Sequence, residues 1–143
     1  MPLHIYIDTI PHAAQRYETV GDYWRSELRT QSLGRTEIRV SELGNEAYEL
    51  LVAIHEMVEE FLTRGKDISE AEITSYDVAY EAARTEESLE EPGDNPDAPY
   101  HKEHVTATEI EKFIAAKLGV NWAEYEQAVR NLSQQRSSNH GST

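Results

Sequence analysis

The spacing of apolar residues changes once along the chain, near Gly44, from every second position to every third or fourth. That change fixes the fold class, because the first period suits a pleated strand and the second a helix with one buried face. Before it, "LHIYID" (residues 3–8) alternates Leu3, Ile5 and Ile7 with His4, Tyr6 and Asp8, and Pro11 ends the strand. "DYWRSEL" and "TEIRVSEL" flank "RTQSLGR", where Gly34 supplies the freedom of a hairpin connection, and Ile38 and Val40 share one face. The first 43 residues therefore predict a small sheet of about three strands.

Beyond Gly44, Asn45 is placed to cap a helix, Glu46 and Glu49 suit its positive end, and Gly65 stops it. Its apolar residues Ala47, Leu50, Leu51, Ile54, Val58, Phe61 and Leu62 fall within about 100° on a helical wheel, a stripe expected to face the core. "SEAE" at Ser69–Glu72 is a capping box opening a second helix, with Ile73, Tyr76, Tyr80 and Ala83 as its expected buried row, fading in "RTEESLEE". "EPGDNPDAPY" must be a loop. The helical period resumes in "TATEIEKFIAAKLG", with Ile110, Phe113, Ile114 and Leu118 inward and Gly119 at the end, and Asn121 caps "WAEYEQAVRNL". The reading is a single α+β domain over residues 1–132, a small N-terminal β-sheet packed against a bundle of about four helices, with residues 133–143 a polar tail expected to be disordered.

Thirteen Lys and Arg against 27 Asp and Glu leave a net charge of −14. Such a charge repels phosphate backbones, and no basic stripe with interleaved aromatics gathers them locally, so no direct nucleic-acid partner is expected. No apolar stretch is long enough to span a bilayer, and "MPLHIYIDTIPH" lacks the basic and small-residue features of a secretory signal, so no membrane partner and a cytoplasmic location are expected. With no cysteine, any metal site must be built from His, Asp and Glu.

Those types converge in "YELLVAIHEMVEEFL", Tyr48–Leu62, where Tyr48, Val52, His55 and Glu59 form a second stripe along the flank of the apolar face. Residues four apart on a helix are neighbours, so the His55 imidazole and the Glu59 carboxylate can meet on one divalent cation, while Glu56 projects toward a water on that ion. A third ligand must come from elsewhere. In "YHKEH", His104 shares a flank with Ala107 and Glu111 and is the preferred donor, with His101 as an alternative. Glu103 and Asp77 are further candidates, either to orient a ligand imidazole or to bind directly.

A strand, a short capped connection and a helix carrying His55–Glu56 resemble the core of the small zincin metallopeptidases, whose signature is His-Glu-x-x-His. The resemblance covers roughly residues 36–64, about a fifth of the chain. It implies a zincin-like core and a metal-dependent hydrolase of peptide or protein substrates. It also implies zinc as cofactor, with Mn or Fe as alternatives, His55 as first ligand and Glu56 as general base. The chain departs from the signature at Glu59, which stands where the second histidine belongs. The plainer alternatives are a half-buried His55 bonded to Glu59, solvated acidic faces, and a catalytically inactive acidic protein that binds or inhibits a partner, including by mimicry of nucleic acid.

Overall fold

The computed structural model describes residues 3–27, 34–66, 68–84 and 91–141. The chain is α+β: strands β1 (Ile5–Ile10), β2 (Gly21–Glu27) and β3 (Gly34–Ser41) precede helices α1 (Glu46–Gly65), α2 (Glu70–Ala83), α3 (His101–Leu118) and α4 (Trp122–Gly141). The sheet order is β1-β3-β2, with β3 parallel to β1 and antiparallel to β2. Residues 29–33 of the expected hairpin connection lie outside the described residues, as does the stretch 85–90 where the second helical pattern fades.

Central β3 follows the alternation. Ile38 and Val40 are fully buried beneath α1, and with Val20, Leu51, Val52, Ala53, Ala115 and Tyr125 they make the apolar core. On the opposite face Arg39 pairs with Asp8 and Glu37, while Arg16 pairs with Asp22 and lies over the Trp24 ring. α1 begins as its cap predicts, with the Asn45 side chain accepting from the Tyr48 amide. The Ser69 hydroxyl likewise accepts from the Glu72 amide at the start of α2.

Three expectations about helix faces need correction. In α1 the buried residues are Leu51, Val52, Ala53, His55, Glu59, Glu60 and Thr63, whereas Leu50 is 47% exposed. The stripe read as a flank is the centre of the buried face, because α1 is wedged between the sheet and α3. In α3 the buried residues are Glu103, His104, Ala107, Glu111 and Ala115, while Ile110, Phe113 and Leu118, expected inward, are exposed. The expected buried row of α2 is not buried: none of its residues is, and Ile73, Tyr76 and Tyr80 are only half covered. α4 runs to Gly141, so the backbone of residues 133–141 continues the helix where composition suggests disorder. No proline interrupts that stretch, and extending a formed helix costs far less than nucleating one. Among the described residues no helix is long and apolar enough to cross a membrane.

Candidate metal centre

The polar faces of α1 and α3 meet at three atoms. His55 Nε2 lies 3.0 Å from Glu59 Oε2, His104 Nδ1 lies 2.9 Å from the same oxygen, and the two ring nitrogens are 3.2 Å apart. His55 and Glu59 are one helical turn apart on α1, so the helix itself sets their spacing. His104 arrives from the first turn of α3, delivered by the proline-containing loop and a short 3-10 turn at Pro92–Asp94. All three side chains are buried.

The separations suit a cation. Donor atoms held about 2.0–2.1 Å from a metal lie roughly 2.9 Å apart around an octahedral ion and roughly 3.3 Å apart around a tetrahedral one. The far nitrogens of both rings are already committed. His55 Nδ1 is 2.8 Å from Glu111 Oε1, and His104 Nε2 is 3.0 Å from Asp94 Oδ1. Ionised carboxylates only accept hydrogen bonds, so each far nitrogen carries a proton and each near nitrogen offers its lone pair whenever the ring is neutral. Two lone pairs and a carboxylate oxygen aimed at one another require a cation or protons between them.

In the metal-free chain protons take that role. Burial pulls the His55 imidazole down, but bonds to Glu111 and Glu59 leave it well above its ordinary value. His104 is treated the same way, lowered by burial and raised by Asp94 and Glu59 to about 10. Burial works against the Glu59 carboxylate, yet the two imidazoles lower it to about 2. Tyr23 on β2 donates to its other oxygen at 3.0 Å.

Glu56 stands apart. Burial, followed by the charge of Glu59, raises its carboxyl well above the usual range although His55 pulls the other way. It rests against β2 at Gly21, where an added Cβ would fall 2.5 Å from Glu56 Oε1. Gly93 does the same for His104: a Cβ there would fall 2.5 Å from the ring. These two glycines, with Glu111, Asp94 and Tyr23, are parts of the site that the sequence did not single out in this role. Proximity of Gly93 and Asp94 to "YHKEH" is the one local hint.

The remaining candidates lie elsewhere. Glu103 is buried but faces Lys66, with 4.0 Å between Nζ and Oε1, and does not orient a ligand ring. His101 turns its Nδ1 to the Gly93 carbonyl at 2.8 Å. Asp77 accepts from the Tyr100 hydroxyl, and burial raises it to about 6. Glu91 and Asp94 form a second acidic group around His104 Nε2, but both are exposed.

No protein-family model matches the chain, and no curated protein or solved structure is detectably similar to it.

Proposed function

We propose that this chain is a metal-dependent hydrolase of zincin-like type acting on peptide bonds, with His55, Glu59 and His104 as metal ligands and Glu56 as general base. The observation that carries the reading is the triangle of His55 Nε2, Glu59 Oε2 and His104 Nδ1, closed at 2.9–3.2 Å. Two histidines and one glutamate are a donor set of catalytic zinc sites, and three protein ligands leave a coordination position open. Relative to His-Glu-x-x-His, glutamate and histidine have exchanged places: the acid is on the helix and the second imidazole comes from afar. A divalent ion there would polarise a carbonyl and acidify the water it binds.

Glu56 would accept a proton from the water as its oxygen attacks the carbonyl carbon, and pass it to the amine as the carbon–nitrogen bond breaks. Edge strand β2 supports a peptide substrate. The bond from the Ser41 amide to the Val20 carbonyl sets a phase that leaves the amides of Gly21, Tyr23 and Arg25 facing away from β3; Gly21 is buried and the Arg25 amide donates to Glu70, so of the three the Tyr23 amide is the one left for an extended chain. A groove of about 240 Å3 lies beside this strand between Tyr23, Arg64 and Ile73, and neither Glu56 nor any of the three proposed ligands lines it.

Glu56→Gln tests the reading: bound zinc should remain at the wild-type level while hydrolysis of a quenched peptide library falls by about 10²–10⁴-fold. Turnover unchanged in that variant would remove Glu56 from the chemistry. A metal-free acidic binding protein predicts instead that the wild-type chain retains no ion after dialysis.

A further inference from the structure

We infer that Glu111 is the positioning residue of the metal centre, its carboxylate anchored by Tyr125 of α4 and holding the His55 ring so that Nε2 is presented to the cation. This rests on the ligand reading above and adds two residues which that reading does not use. Both Glu111 oxygens are committed: Oε1 to His55 Nδ1 at 2.8 Å, and Oε2 to the Tyr125 hydroxyl, which donates to it. Glu111 and Tyr125 are 7% and 3% exposed, so water cannot replace either partner. The Tyr125 ring is fixed in turn, edge-on to Tyr48 with centroids 5.2 Å apart and against Trp122. A carboxylate pinned at one oxygen and buried has a single orientation, and that orientation sets the plane of His55.

Asp94 touches the other ligand imidazole in the same way but is built differently. Its side chain is 48% exposed, and Glu91 lies 3.4 Å from the same His104 nitrogen. Solvent or Glu91 can therefore take over when Asp94 is lost, whereas nothing can take over from Glu111. One ligand is held rigidly from the core and the other adjustably from a loop.

The test is Zn2+ titration and Co2+ absorption of the full chain and of Glu111→Gln, Tyr125→Phe and Asp94→Asn, with circular dichroism as a check on folding. Glu111→Gln keeps an acceptor facing Nδ1 but loses the charge, and should weaken Zn2+ binding about 10–100-fold and shift the Co2+ ligand-field bands. Tyr125→Phe keeps the ring packing and should give a smaller loss in the same direction with the same spectral shift, so the result does not hang on one variant. Asp94→Asn should change least. Wild-type affinity and an unshifted spectrum in Glu111→Gln and Tyr125→Phe, or a larger loss in Asp94→Asn, would overturn the assignment while leaving the ligands in place. A wild-type chain that binds no Zn2+ would overturn the ligand reading itself, and this proposal with it.

Discussion

At the sheet, Ile38 and Val40 are 0% and 1% exposed and sit where a two-residue period puts them. At the junction of α1 and α3 the pattern is reversed: His55, Glu59, His104 and Glu111 are buried, while Ile110 and Phe113 are 38% and 61% exposed. Exclusion of apolar surface from water organises the first region, and the second is held by charged groups that satisfy one another. Burying such groups is costly unless each has a partner, so an interface of this kind persists only where the partners are complete. A helix that turns its polar face inward is thus a pointer to a site, since the rule it breaks is the one that builds ordinary cores.

The contrast can be broken most severely at Glu59. Glu59→Ala leaves two imidazoles buried side by side without the carboxylate that both of them meet, and should destabilise the metal-free chain by about 3–5 kcal/mol in urea unfolding. A loss under ~1 kcal/mol would mean that solvent already screens the junction. Ile38→Ala should cost about 2–5 kcal/mol through a cavity, yet leave the metal affinity of the folded fraction unchanged. Coupled loss of both would show that the sheet and the site are one unit.

A subtler difference is pH dependence at the edge of the polar region. Burial raises Asp77 from 3.8 to about 6. Within that window the folded chain holds a proton which the unfolded chain has released, so stability falls as pH rises from about 4 to about 6 and levels off above. Asp77→Asn should flatten this slope in thermal melts at successive pH values, and an unchanged slope would assign it to another group. The smallest effect is expected at Phe113. The apolar pattern places it in the core, but its exposure predicts that Phe113→Ser shifts stability by no more than about 0.5 kcal/mol. A cost of several kcal/mol would restore the face that the pattern suggests.

These outcomes bear on how much of the molecule is written locally. The change of period near Gly44 is enough to place three strands before four helices, and the caps at Asn45 and Ser69 mark helix starts within a residue. Residue type and spacing also single out His55, Glu59 and His104, which the fold brings to within 3.2 Å of one another. Helix rotation was not legible. Leu50 and Phe61 on α1, like Ile110 and Phe113 on α3, carry the apolar period, but the packing of α1 against both sheet and α3 selects the neighbouring stripe. Glu111 lies 56 residues from His55, and Tyr125 lies 14 residues beyond Glu111, separations across which a single sequence carries no pattern. Gly21 and Gly93 matter through the atoms they lack, which no composition argument reveals.

We propose that two imidazoles and one carboxylate from α1 and α3 hold a single divalent ion. Elemental analysis of the dialysed wild-type chain after loading with zinc, beside His104→Ala prepared identically, tests it most directly. One ion per chain is expected in the first and less than about a tenth of that in the second, since losing even a group that orients a ligand weakens metal binding about 10–100-fold. A wild-type chain without zinc, or equal zinc in both proteins, would contradict it.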